Sequence, residues 1–131
     1  MKDQTAPRAL FHPTARQLNW LLIIGFVAVG EALYLRYHVM ENSTVSLACQ
    51  GGLDTWLCST FKLSVILFTH KVFGGVALAV ALLNLIRPSI VLFAVALAAA
   101  ACGVVLHNAD FSALAAGVLI LSLARPAPSR E

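Results

Sequence analysis

Two cysteines, Cys49 and Cys58, lie nine positions apart in one polar segment, with Gly51 and Gly52 between them. A Gly-Gly pair favours a turn, so the two thiols can meet, and the sequence predicts a disulfide. Two roles for the bond stay open. It either staples the segment, or it is a redox-active pair that exchanges electrons with a partner protein. A Cys-x-x-Cys spacing, which favours redox chemistry, is absent, and Cys102 is predicted to be a free thiol.

A second candidate set consists of ionisable residues inside or beside apolar runs, with Glu31, His70 and His107 as its main members. Placing an ionisable side chain in a bilayer costs free energy, so such residues are candidates for a functional site. We predict these three as cofactor-binding residues, because two histidines at one depth can ligate haem or a metal. In the simpler alternative, His70 marks the point where a helix enters the membrane and Asp110 caps a helix. No cysteine cluster has the spacing of a metal site.

The composition determines the class of protein that must position these residues. Of the 131 residues, 60% are hydrophobic and 11% are charged, whereas a soluble domain carries about 25% charged residues. The sequence therefore predicts an all-α integral membrane protein, a four-transmembrane-helix bundle with a disulfide-bearing periplasmic loop, surrounded by membrane lipid. The net charge of +3 is scattered along the chain, so nucleic acid is not an expected partner.

Four apolar runs predict the spans, since about 20 apolar residues cross a hydrocarbon core of about 30 Å. Residues 39–60 are predicted to form a polar loop, and residues 55–69 to lie in the membrane interface before the chain turns inward near His70. The predicted spans are 18–38, 68–86, 89–106 and 110–124, with cytoplasmic tails at 1–17 and 125–131.

The basic residues near the ends of the spans predict the orientation. One side carries six of them and the other carries three: Lys2, Arg8, Arg16, Arg87, Arg125 and Arg130 against Arg36, Lys62 and Lys71. We therefore expect a multi-pass protein of the bacterial cell inner membrane with both termini in the cytoplasm. The loop with the two cysteines then faces the oxidising periplasm, where disulfides persist.

The pattern Cys49-x8-Cys58-Ser59, followed by Lys71-Val72-Phe73-Gly74 and an Ala/Leu-rich helix, resembles the vitamin K epoxide reductase-like family. In that family a loop cysteine pair precedes a Phe-Gly that opens the second helix of a four-helix bundle. The resemblance implies thiol–disulfide exchange by Cys49 and Cys58 with a periplasmic thioredoxin-like protein, with quinone as the electron acceptor.

This chain departs from the family at the start of the last helix, where the family keeps the Cys-x-x-Cys that reduces quinone. Here the sequence is His107-Asn108-Ala109-Asp110. The resemblance therefore implies a catalytically incomplete member, and whether the chain is an enzyme stays open. Two other readings remain: a non-enzymatic accessory or assembly subunit of a larger membrane complex, and a haem- or metal-binding helper that uses His70 and His107.

Overall fold

A computed structural model describes residues 12–124, and the secondary structure of this part of the chain is entirely helical, as predicted. Six α-helices and one π-helical turn follow one another. They are α1 (Ala15–Tyr34), the π-helical turn (Leu35–Met40), α2 (Ser43–Gln50), α3 (Trp56–Thr69), α4 (Val72–Ile86), α5 (Ile90–Val105) and α6 (Ala109–Leu123). Apart from residues 12–17, the predicted tails at 1–17 and 125–131 lie outside the described residues.

The first helix begins before the predicted start at Leu18, because Thr14 and Gln17 form a capping box. The backbone N–H of Gln17 donates to Thr14 Oγ1 over 3.3 Å, and the backbone N–H of Thr14 donates to Gln17 Oε1 over 3.0 Å. These two bonds satisfy donors that a helix start leaves free. Helices α5 and α6 match their predicted runs to within one residue at each end.

The predicted loop at 39–60 is wrong for most of its length, since it contains α2 and the start of α3. Asn42 Oδ1 accepts the backbone N–H of Thr44 over 3.1 Å, and Thr55 Oγ1 accepts that of Cys58 over 3.4 Å. Each bond caps a helix start. Asn and Thr just before these segments were the sequence signal for both helices.

A bend of 60° separates α3 from α4, and it falls at His70 and Lys71. The turn at this place agrees with the predicted change of direction near His70. Lys71 adopts a left-handed conformation with φ 53°, which ends α3 sharply. Only α1 with its π-helical extension, Ala15–Met40, is by itself long and apolar enough to cross a membrane among the described residues; the bent pair α3–α4 passes the same test when taken together.

The core forms where α4 packs against α5 and α6, and α1 packs against α5. Small side chains dominate it, and they allow helix backbones to approach closely. Its buried members are Leu21, Ala77, Ala81, Phe93, Ala96, Ala100, Ala115 and Leu119. The end where α1 and α5 finish and α4 and α6 begin is covered by the π-helical turn, α2 and α3. We call residues 35–69 the cap, this end the capped end, and the opposite end the open end.

Candidate functional site

The predicted disulfide is present and holds the cap together. Cys49 lies in the last turn of α2 and Cys58 in the first turn of α3, with their Cα atoms 5.2 Å apart. Both residues are buried, with exposed fractions of 5% and 4%. The bond therefore joins two short helices and lies under their surface.

Burial limits the chemistry of this bond, because exchange requires a thiolate to reach one of the sulfur atoms directly. In the closed cap, the side chains around Cys49 and Cys58 cover both residues. Attack by a partner thiol requires the cap to open first. This geometry disfavours direct exchange in the closed cap, although Cys58 lies at a helix N-terminus, a place that stabilises a thiolate.

Cys102 is a free thiol, as predicted. It lies in α5, and its Sγ is 3.6 Å from the backbone oxygen of Ala28 in α1. The thiol thus belongs to the α1–α5 contact, while the disulfide belongs to the α2–α3 contact. Within residues 12–124, the chain holds no second cysteine pair that could pass electrons on from the first.

A pocket of about 200 Å³, lined by both charged and apolar side chains, lies at the capped end, between the π-helical turn, α3 and the link from α5 to α6. Arg36 is its central charge. The guanidinium donates to Glu41 Oε1 from Nε over 3.0 Å and to the backbone oxygen of Val105 from Nη1 over 2.8 Å. His107, Phe68, Met40 and Leu106 complete the wall of what we call the Arg36 pocket.

Sequence reasoning missed this pocket because the pairing of Arg36 with Glu41 depends on the π-helical turn. Residues five apart do not face one another on an α-helix, where neighbours are three or four apart. In the π-helical turn, the N–H of Glu41 donates to the Arg36 oxygen over 2.8 Å, and the two side chains come together. No simple sequence signal marks a single π turn at the end of an apolar helix.

The three predicted cofactor-binding residues are not assembled into one site. His107 lines the Arg36 pocket and meets Phe68 edge to face, with ring centroids 6.3 Å apart. His70 ends α3 with an exposed side chain, and Glu31 is exposed on α1. No hydrogen bond or ring contact joins the two histidines, and no three metal-binding side chains converge, in the part of the chain that the structure describes. Haem or metal binding through His70 and His107 stays a prediction.

The two helix breaks at the capped end lie side by side. Lys71 Nζ is 3.8 Å from Asp110 Oδ2 and 5.7 Å from the centre of the Phe111 ring. His107 is left-handed with φ 62°, and the next N–H, that of Asn108, donates to the Gly103 oxygen over 2.7 Å. In the simpler alternative Asp110 caps α6, but the N-cap residue is Asn108, which makes no side-chain capping bond, and Asp110 lies in the first turn beside Lys71.

Beneath these breaks, α4, α5 and α6 approach one another closely. A Cβ atom added at Gly74 would lie 2.8 Å from Phe111 Cβ, so only glycine fits there without a shift. Two buried polar atoms at this point, Asn108 Nδ2 and Ser112 Oγ, have no hydrogen-bond partner. Such groups cost stability when buried. The capped end therefore combines strained backbone, unsatisfied polar atoms and a covalent clamp.

No family model, no curated protein and no solved structure matches this chain.

Proposed function

We propose that this protein is a four-span integral membrane protein of the bacterial inner membrane, built on a scaffold like that of vitamin K epoxide reductase-like proteins. Its disulfide is a structural clamp, and the protein acts as a non-enzymatic accessory subunit of a larger membrane complex. The observation that carries the proposal is the burial of both disulfide residues, Cys49 and Cys58, in a chain without a second dithiol among its described residues.

Exposed apolar side chains support the membrane assignment. On α1, Phe26 is 76% exposed, and other large apolar residues of the same helix are also uncovered. A surface helix of a soluble protein carries polar residues on its outer face. Helices α4, α5 and α6 expose further aliphatic residues, among them Ile86, Val91 and Ile120. A lipid environment stabilises such a surface, because the exposed apolar side chains then contact acyl chains and not water.

The scaffold assignment is supported by the start of α4. Phe73 and Gly74 lie in its first turn, and Gly74 is the point where α4 meets Asn108 and Phe111. The resemblance implies only that a Phe-Gly pair opens this helix, which agrees with the position of Phe73 and Gly74. Where the family keeps its second dithiol, His107 and Asp110 stand in this chain, and neither can accept a disulfide.

The accessory role is tested first by chemistry. Purified protein in lipid, supplied with a thioredoxin-like reductant and a quinone, should show no turnover above that of the Cys49→Ser/Cys58→Ser double variant. Turnover that depends on the two cysteines would overturn the proposal.

A native gel of mildly solubilised membranes is the second test. The protein should migrate with other polypeptides, well above its own 14.0 kDa, and migration alone would contradict an accessory role.

A second candidate is partner-dependent thiol–disulfide exchange, and the position of Cys58 favours it. This residue lies in the first turn of α3, where a released thiolate would be stabilised by the helix N-terminus. A periplasmic thioredoxin-like protein that opens the cap would then exchange with it. In the Cys49→Ser variant, the free Cys58 thiolate should attack the disulfide form of such a partner, displace one partner thiolate and leave a mixed disulfide that Cys49 can no longer resolve. Absence of any cysteine-dependent adduct would remove this candidate.

A further inference from the structure

We propose that α3 lies along the phospholipid headgroup layer on the capped side of the membrane. Its exposed apolar face dips into the upper acyl chains, and Lys62 lies beside the lipid phosphates. This inference rests on the proposed membrane assignment and deepens it, since it names lipid as the occupant of a surface that the rest of the described chain leaves uncovered.

The exposed face of α3 carries large apolar side chains together with one cation, Lys62. Trp56 is 82% exposed at the start of the helix, and Leu63 and Ile66 are exposed further along it. Trp56 and Leu63 are seven residues apart and lie on the same side, as do Lys62 and Thr69. At about 100° per residue, the two pairs are separated by about 120° around the helix. The other exposed residues, Ser59, Ile66 and His70, lie between the two pairs, so the face changes gradually from a cation at one edge to Trp56 and Leu63 at the other.

Charge and residue type match a phospholipid surface. Tryptophan prefers the membrane–water interface because its ring is apolar and its N–H is polar. The ammonium group of an interfacial lysine reaches towards phosphates while its stem covers apolar surface. Helices of this kind bury their apolar side about 5–10 Å into the boundary between headgroups and acyl chains.

The bend between α3 and α4 gives α3 a suitable direction. Spans tilt by about 20° from the bilayer normal on average. If α4 follows that rule, the 60° bend sets α3 at about 40–80° from the normal, far from a spanning direction. The helix has 14 residues, so it extends about 21 Å along the surface.

The cap fixes which side of α3 faces the membrane surface. Cys58 and Ser64 are buried on its inner side, and the disulfide ties the first turn of the helix to α2. At the other end, Phe68 packs against His107. The helix cannot rotate freely about its axis, so Trp56, Leu63 and Ile66 keep pointing away from the bundle.

Fluorescence quenching tests this placement, because the chain has two tryptophans, Trp20 and Trp56. The Trp20→Phe variant reports on Trp56 alone. In vesicles of phospholipids brominated along the acyl chain, bromines near the headgroup should quench Trp56 more than bromines near the chain end. Aqueous iodide should quench it less than it quenches the same variant after unfolding.

The matched Trp56→Phe variant reports on Trp20 in α1 and separates the two possible failures. Quenching of Trp20 by brominated lipid while Trp56 responds only to iodide overturns the placement of α3 and leaves the membrane assignment intact. No lipid quenching of either tryptophan overturns both. If neither lipid nor iodide reaches Trp56, a second copy of the chain covers α3 in the vesicles, and the lipid proposal is wrong.

A pair of charge substitutions adds a second test in the Trp20→Phe background. Leu63→Glu places a carboxylate on the apolar side of α3 and should raise iodide quenching of Trp56 by about twofold, because the helix lifts from the acyl region. Thr69→Glu is the control on the cation side and should leave quenching unchanged. Equal responses of the two variants would contradict the assigned orientation.

Discussion

The two ends of the helix bundle satisfy their buried polar groups very differently. At the open end, the Asn84 amide donates to Ser122 Oγ over 3.0 Å and accepts the backbone N–H of Ser89 over 3.0 Å. Ser122 in turn donates to the Leu119 oxygen over 2.6 Å. These bonds join α4 to α6 and to the start of α5.

The capped end lacks such closure. Asn108 Nδ2 and Ser112 Oγ are buried without partners, and Lys71 and His107 adopt left-handed conformations that cost non-glycine residues about 1 kcal/mol or more each. A covalent bond between α2 and α3 offsets part of these costs. Strain of this kind gathers at functional sites in many proteins. The comparison therefore sets a strained, incompletely hydrogen-bonded capped end against a well-paired open end.

Loss of the clamp should have the largest effect. The Cys49→Ser/Cys58→Ser double variant should lower the free energy of unfolding of the cap by about 2–4 kcal/mol, because the unfolded chain is no longer constrained. Denaturant unfolding followed by Trp56 fluorescence measures it. The free energy of unfolding of the bundle, measured by Trp20 fluorescence, should fall much less. Equal losses at both tryptophans would mean that the cap and the bundle unfold as one unit.

The close approach at Gly74 should give the next largest effect. Gly74→Ala should destabilise the protein by about 1–3 kcal/mol, because the new methyl group meets Phe111. Gly75→Ala is the matched control in the same turn, since a Cβ there has no atom within 4 Å. The control should be neutral, or stabilising by up to about 1 kcal/mol from helix propensity. If both variants behave alike, the tight contact of α4 with α6 is wrong.

At the open end, removal of one interhelical hydrogen bond should have a smaller effect. Ser122→Ala should cost about 0.5–1.5 kcal/mol, the net contribution of a typical intramolecular hydrogen bond. In the Asn84→Ala background, the same Ser122→Ala change should cost less, because only the bond to the Leu119 oxygen remains to be lost. A double-mutant cycle gives the coupling. Additive losses from the two substitutions would show that the bond does not form.

Relief of backbone strain should give the smallest effect, and this effect is stabilising. His107→Gly should be more stable than His107→Ala by about 1 kcal/mol, because glycine adopts φ 62° without steric cost. Both variants lack the imidazole, so the difference isolates the backbone. Thermal unfolding of the two proteins in the same lipid measures it. A more stable alanine variant would contradict the left-handed conformation.

Much of this architecture could be predicted from the sequence, because apolar runs and Gly-Gly turns act locally. The boundaries of α5 and α6, the bend at His70 and the Cys49–Cys58 bond follow from such signals. Helix α2 was missed because its polar composition outweighed the capping signal of Asn42.

Other features could not be read from the sequence because they depend on distant partners or unusual turns. Asn84 interrupts an Ala/Leu run, and only the fold shows that it meets Ser122 in another helix. The pairing of Arg36 with Glu41 requires a π-helical turn. The burial of the disulfide, which argues against direct attack by a partner thiol in the closed cap, also depends on how α2 and α3 pack. Membrane insertion, orientation and cofactor binding stay predictions.

The most direct test of the central claim is the rate at which a thioredoxin-like dithiol protein reduces the Cys49–Cys58 bond. The folded protein in lipid should be compared with the same protein unfolded in denaturant that the reductant tolerates. A buried clamp opens only through local unfolding, so we expect reduction of the folded form to be slower by about 100-fold or more. Equal rates for the folded and unfolded forms would contradict the clamp and identify Cys49–Cys58 as an accessible redox pair.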